Sequence, residues 1–294
     1  MYITICYSLV ALRGFFSASN ERKTAMMEEC LSAEECIETS QEKGQEKPLR
    51  KRHGARNQHK IKFFLRWLTQ TFPSAFHHVN ENDGQTCNSV ESVNEERSSE
   101  DSFYTNSLIL DVAGGKGELS ARLCFCNQQR VVLVDPRPAD IVQCYEDVVF
   151  RGLPKKWQTR LRAKQASHPS LLHDVLKERF RQLTMYFDSQ TVQRDMALQS
   201  AVQNAQIIIG MHADGATEAI VDVALQYQKP FVVVPCCVFP NFFPHRTLTT
   251  AEGKTRPVRS YQDFCEYLLQ KDPRFQRSVL PFEGRNIAIW WDGL

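Results

Sequence analysis

The chain reads as an α/β protein built on a mostly parallel sheet. Three observations predict this. Short apolar runs recur at 107–112, 131–134, 207–209 and 231–234, the pattern of strands buried on both faces. Stretches with helical spacing lie between them, so strand and helix alternate. The first run ends in Gly114-Gly115-Lys116-Gly117 and leads directly into a helical pattern, as a strand–turn–helix unit requires. Two further runs, 278–280 and 286–291, are separated by Phe282-Glu283-Gly284-Arg285. They close the sheet as an antiparallel hairpin joined by a tight turn.

The N-terminal third is different. Met1 to Phe16 is apolar but lacks a basic stretch before it and a small-residue cleavage site after it, and it is shorter than a membrane span of about 20 residues. Residues 1–57 are expected to be a low-order extension, because 17–55 are polar and unpatterned and have too little apolar surface to offset ordering entropy. The domain is expected to span 58–294. Ile61, Phe64, Leu65, Leu68 and Phe72 recur at helical spacing, which makes 58–73 a leading amphipathic helix that Pro73 ends. Residues 78–106 are Asn-, Ser- and Glu-rich and read as an acidic surface loop.

The core proper, 107–294, continues with a helix from Glu118 to Cys126 and a second strand, Val131–Val134. Residues 139–204 read as a long helical insert on the spacing of Leu153, Trp157 and Leu161, then Leu171, Leu172, Val175, Leu176, Phe180 and Leu183. A short strand over Met185–Phe187 interrupts it. Helices over 214–228 and 261–270 follow, each with one apolar face.

Composition narrows the function classes. Hydrophobic content of 42% and aromatic content of 10% suffice for a core, and the net charge is only +2. The charge is unevenly placed, however. Arg50, Lys51, Arg52, Arg56, Lys60, Lys62 and Arg66 form one basic run, and Arg151, Lys155, Lys156, Arg160, Arg162 and Lys164 a second. Such runs are either solvated faces or a phosphate-backbone contact surface. The ten cysteines are scattered, several inside apolar runs, and none forms a C-x-x-C pair. This argues against a disulfide framework and for a reducing, intracellular setting, cytoplasmic or nuclear. A mitochondrial address is the alternative reading of the first residues. No metal and no membrane association is expected.

The strongest chemical signal is Asp111-Val-Ala113-Gly114-Gly115-Lys-Gly117 at the end of the first strand. Glycines permit a tight turn and close approach of a ligand to backbone. Open parallel sheets bind ligands beyond the carboxyl ends of their strands. Asp135 closes the second strand, where an acid can accept hydrogen bonds from ribose hydroxyls. The dinucleotide fingerprint is incomplete, since Ser120 stands at the third glycine position. Asp111 would also repel a pyrophosphate, whereas it can pair with an ammonium group.

These residues resemble the first motif of class I S-adenosylmethionine (SAM) dependent methyltransferases, D/E-x-G-x-G-x-G, with Ala113 in place of the first glycine. Asp135 matches that family's second-strand acid, and the element order over 107–294 is similar. Gly210-Met-His212-Ala-Asp214-Gly-Ala-Thr-Glu218 and Pro235-Cys236-Cys237 resemble a methyltransferase-like branch that includes RNA-modifying enzymes. The resemblance implies a Rossmann-like fold, SAM as cofactor, and cofactor contacts from Asp111, Ala113, Gly114, Gly115, Gly117, Asp135 and Gly210.

Substrate chemistry is then expected beyond the strand at 207–209. His212 is a candidate general base, with a structural hydrogen bond as the other reading. Asp214 is either catalytic or a helix cap. Cys236 is a candidate nucleophile, a metal ligand with His212 or His245, or, with Cys237, lining of the site. Phe242, His245 and Arg246 lie in a loop that combines aromatics with a cation, suited to a base and a phosphate, and Arg285 is expected near the same cleft. RNA is the favoured acceptor. The alternatives are a methyltransferase-like binding module without catalysis and an NAD(P)-dependent oxidoreductase.

Overall fold

A computed structural model describes residues 59–76, 103–104, 108–249 and 253–294. The expected extension 1–57 and nearly all of the acidic loop 78–106 lie outside the described residues.

The apolar runs form β1 (Leu108–Val112), β2 (Val131–Val134), β3 (Phe180–Leu183), β4 (Ala205–Met211) and β5 (Phe231–Val234). A separate two-stranded ribbon follows, β6 (Thr247–Thr249) with β7 (Thr255–Pro257), and then β8 (Gln276–Val279) and β9 (Ile287–Trp291). The main sheet has seven strands in the order β3-β2-β1-β4-β5-β9-β8. The first five are parallel, with Ile109 opposite Val131 and Ile207, and β9 pairs antiparallel to β5 and to β8. The fold is therefore the Rossmann-like α/β sheet with a closing antiparallel hairpin.

This strand order fixes where a ligand can sit. The chain runs outward from β1 to β3 and then returns to lay β4 on the other side of β1. The loops leaving β1 and β4 diverge to opposite faces, which opens a crevice at their carboxyl ends.

The flanking helices in chain order are α1 (Lys60–Thr71), α2 (Glu118–Phe125), α3 (Ile141–Cys144), α4 (Lys155–Ser167), α5 (Leu171–Arg179), α6 (Ser189–Arg194), α7 (Met196–Asn204), α8 (Thr217–Gln226) and α9 (Tyr261–Leu269). Strand residues alternate between two cores, as the period of two requires. Ile109, Ile207 and Ile209 face one core with α1, α2 and α5, while Leu110 and Ile208 face the other with α7, α8 and α9. Helix α1 is held to the sheet by Phe64, Leu65 and Leu68, all buried, and by edge-on contacts of Trp67 and Phe72 with Trp290 at 6.1 and 5.5 Å.

Two elements depart from the sequence reading. A strand, β3, occupies Phe180–Leu183, within the stretch expected to be helical, and Met185–Phe187 is not a strand. Among the described residues β3 pairs only with β2, and three of its four residues are half-buried. It lacks the apolar run of an inner strand, so the helical spacing of Phe180 and Leu183 was misleading. The ribbon β6–β7 is polar and largely exposed and leaves no hydrophobic pattern in the sequence.

Candidate functional site

The glycine loop leaves β1 in the crevice. Ala113 has φ 54°, Gly115 φ 61° and Gly117 φ 79°, the left-handed region that favours glycine. At Gly117, the cap of α2, a Cβ would stand 2.2 Å from Ile141. A Cβ on Gly114 would stand 2.6 Å from Asp111 Oδ2 and 2.7 Å from Leu133. A Cβ on Gly115 would meet nothing nearer than Arg137 Nη2 at 3.9 Å. The loop is thus packed against protein at 114 and 117 and open at 115.

Asp111, expected at the cofactor, lies beneath the loop and is only 1% exposed. The Ser120 hydroxyl donates to its Oδ2 at 2.6 Å. Burial pushes its carboxyl up to about 6 against the pull of the Ser120 bond, and the neighbouring Asp135 charge adds to the rise. Ser120, which sequence reasoning used only to disfavour a dinucleotide, is the residue that anchors this acid to α2.

Asp135 closes β2. Gly115 N–H donates to its Oδ2 at 2.9 Å, and Arg137 donates to Oδ1 from its backbone N–H at 2.9 Å and from Nε at 3.1 Å. Burial alone would raise this carboxyl, but the Arg137 and Gly115 donors outweigh it and hold it below the usual range. Arg137 is exposed and feels the charge of Asp214 as well as that of Asp135. It therefore stands between the β2 end and the β4 end. Its position two residues after Asp135 was the available signal for it.

At the end of β4 the placements are mixed. Gly210, expected to touch cofactor, is buried in the strand opposite Val233, and a Cβ there would stand 2.4 Å from Ile220. Its glycine serves the packing of α8 on the sheet. His212 has φ 58° and donates its backbone N–H to Val234 O at 3.0 Å. Its Nδ1 is buried and has no hydrogen-bond partner among the described residues. Burial holds its pKa down to about 4, Lys60 at the start of α1 acts in the same direction, and Asp214 opposes. The ring is neutral at pH 7.

Asp214 has φ 47° and is exposed. The Thr217 hydroxyl donates to its backbone O at 3.0 Å, and its side chain caps nothing at α8. Instead Cys236 Sγ donates to Asp214 Oδ1 at 2.9 Å. Cys237 joins this pair, so that one carboxylate oxygen and two sulfurs lie within 4.8 Å of one another. Burial and the Asp214 bond push the Cys236 thiol up to about 12, which keeps it protonated at neutral pH and disfavours it as a nucleophile. No metal-binding spacing is legible in the sequence, yet three donor atoms meet here.

The loop after β5 divides its residues between two environments. Phe242 is 80% exposed, and Phe239 packs edge-on against it at 6.2 Å. Arg246, expected to face a substrate, is 2% exposed instead. Its Nε donates to Glu218 Oε2 at 2.6 Å, its Nη1 to Val238 O at 2.9 Å, and its guanidinium lies 3.7 Å over Phe243 and 4.5 Å over Phe264. Glu218 also accepts from the Tyr267 hydroxyl and pairs with Lys271 Nζ at 2.9 Å, while exposed His245 approaches it at 3.9 Å. These donors overcome burial and hold Glu218 at about 2. The network ties the loop to α8 and α9. Sequence reasoning missed it because its members are spread over 218–271. Arg285 stacks 4.2 Å over Tyr261 and acts electrostatically on Cys237, at the same end of the sheet.

Two groups of predicted residues therefore come together. Asp111, Gly114, Gly115 and Asp135 surround the β1 loop, and Asp214, Cys236 and Cys237 meet at the ends of β4 and β5, with His212 on the connecting turn. Comparison with known proteins gives no match to a protein family and none to a curated protein. Solved structures with a similar fold include the methyltransferase domain of bacterial CtHen1-CN, at 13% identity and a TM-score of 0.33 over 62% of this chain and 88% of that one. They also include an O-methyltransferase family protein from Burkholderia thailandensis, at 13% identity and a TM-score of 0.31 over 92% of this chain and 70% of that one.

Proposed function

We propose that the chain is a SAM-dependent methyltransferase and that RNA is its acceptor. The observation that carries the cofactor reading is the pair of carboxylates flanking an open glycine backbone. Asp135 is close enough to raise the Asp111 carboxyl, and half-buried Gly115, with no side chain packed over it, lies between them. Two acids favour a cationic, phosphate-free ligand over a pyrophosphate. Asp135, with oxygens directed at Gly115 and at a mobile-length side chain, is suited to ribose hydroxyls once Arg137 moves aside. When bound, SAM supplies an electrophilic methyl group on a cationic sulfur.

The chain's own residues would then orient the acceptor and take up its proton. His212 is neutral, and its buried Nδ1 has no hydrogen-bond partner among the described residues. A base with this low a pKa works only as the proton becomes acidic during transfer. The RNA reading rests on exposed Lys155, Lys156 and Arg160 along α4 and on exposed Phe242, since cations contact phosphates and an aromatic face can stack on a base.

Isothermal titration with SAM and with NAD tests the cofactor. Binding of SAM but not NAD is expected, and no SAM binding by folded protein refutes the reading. Transfer of labelled methyl to total RNA rather than to total protein is the expected acceptor result, and the reverse would remove RNA from it.

A further inference from the structure

We propose that Asp214, Cys236 and Cys237 are the three protein ligands of a zinc ion at the carboxyl ends of β4 and β5. The two strand ends are adjacent and in register, Met211 opposite Val234, and His212 N–H bonded to Val234 O continues the pairing one residue further. This clamps the Asp214 turn against Pro235-Cys236-Cys237. The three donor atoms lie within 4.8 Å of one another, and Cys236 Sγ is already 2.9 Å from Asp214 Oδ1. Zinc bond lengths of about 2.3 Å to sulfur and about 2.0–2.2 Å to oxygen imply ligand–ligand edges of roughly 3.3–3.8 Å. The 2.9 Å edge would therefore open by roughly 0.4–0.9 Å, and an edge near the 4.8 Å limit would close by about 1 Å.

Charge favours a cation here and an unusual backbone marks the spot. Two thiolates beside the Asp214 carboxylate gather negative charge that a divalent cation offsets. Two thiolates and one carboxylate select zinc over magnesium or calcium. His212 and Asp214 both hold left-handed backbone, a conformation retained where a side chain must be aimed. Three protein ligands, one exposed and two half-buried, leave a fourth position open to solvent, the arrangement of a zinc that exchanges a bound group rather than one that only braces the fold. As the ion binds, each cysteine gives its thiol proton to solvent and forms a zinc–sulfur bond. The proposal stands on the donor atoms alone and does not depend on the cofactor reading.

The test uses the full chain, reduced with a phosphine and free of chelator. Cobalt(II) is added as a spectroscopic substitute for zinc. About one equivalent with a sulfur-to-cobalt charge-transfer band is expected, displaced by zinc. Cys6, Cys30, Cys36 and Cys87 lie outside the described residues, so a chain with those four changed to serine should keep the band. Cys237→Ser and Cys236→Ser should each weaken zinc binding about tenfold or more. If Cys236→Ser fails to fold, alkylation of the unaltered chain decides: zinc should slow modification of both thiols about tenfold, as read by mass spectrometry. Absence of the band, a band that survives the Cys236→Ser/Cys237→Ser double change, or alkylation indifferent to zinc overturns the assignment. SAM titration of the same zinc-free sample keeps this outcome separate from the cofactor test.

Discussion

Asp111→Asn isolates the charge beneath the glycine loop. The carboxyl is raised from 3.8 to about 6, chiefly by burial. A folded pKa above the unfolded value means that the native state binds the proton more tightly. The contribution to stability is complete below about pH 4 and is lost as pH rises through about 6. A difference of about two units, at about 1.36 kcal/mol each, makes ionised Asp111 cost about 3 kcal/mol at pH 7.5. Asparagine has the same shape and its oxygen can still accept from Ser120, but its amide N–H groups need partners, which costs about 1–3 kcal/mol if they are unmet. A net gain of about 0–2 kcal/mol at pH 7.5 follows, or up to roughly 8 °C in Tm for a domain of this size. Thermal melts of both proteins from pH 4 to 8 measure it. The two curves should converge or cross near pH 4 and diverge by pH 7, while SAM affinity falls about tenfold for loss of one ionic contact of about 1.4 kcal/mol. Parallel pH curves would show that Asp111 is not the titrating group. A variant that gains stability and keeps full SAM affinity would show that the acid serves no cationic ligand.

Three other changes probe the surrounding parts. Arg246→Ala removes the Nε donor from buried Glu218 and the ring-stacked guanidinium, and should cost about 3 kcal/mol, read as a lowered urea midpoint with little change in SAM affinity. Gly114→Ala drives a methyl group into Asp111 and Leu133 and should destabilise by about 1–3 kcal/mol and weaken SAM binding in calorimetry. Arg137→Ala breaks an exposed ion pair and should change stability by less than about 1 kcal/mol. Because Arg137 occupies the Asp135 oxygens, the same variant should bind adenosine several-fold more tightly in calorimetry, and weaker binding would make Arg137 a ligand contact instead of a competitor.

The sheet was legible because its inner strands bury both faces and so are written as apolar runs, from Leu108–Val112 to Phe231–Val234. β3 was not, because an edge strand with one partner needs no such run, and Phe180-Arg181-Gln182-Leu183 is equally consistent with a helix. The β1 loop was legible because φ above zero and close packing demand glycine at 115, 117 and 114. Ala113 shows the limit of that rule, since it takes φ 54° without being glycine. Gly210 shows another: a glycine beside a site can answer to packing, here against Ile220. The Arg246 network was hidden for a simpler reason. A buried arginine and a solvent-facing one have the same letter, and only the fold brings Glu218, Tyr267 and Lys271 to it.

The charges at the crevice argue together for one kind of ligand. Asp111, Asp135 and Asp214 line the strand ends, against Arg137 from the β2 loop and Lys60 from the start of α1. Arg137 is exposed, bonded to Asp135 and within the field of Asp214, so its charge is largely spent on acids already present. Burial keeps the His212 ring neutral, and Lys60 acts in the same direction. A pyrophosphate entering this crevice would meet a buried carboxylate under the very glycines that should cradle it. A sulfonium with an ammonium group would complete the same set of charges, and its arrival should lower the pKa of Asp111. SAM binding between about pH 5 and 6.5 should therefore release a fraction of a proton. Calorimetry in buffers of different ionisation enthalpy measures that release, and its absence in Asp111→Asn assigns the proton to Asp111. Proton uptake in the unaltered chain would mean that the ligand's charge is not read by this acid.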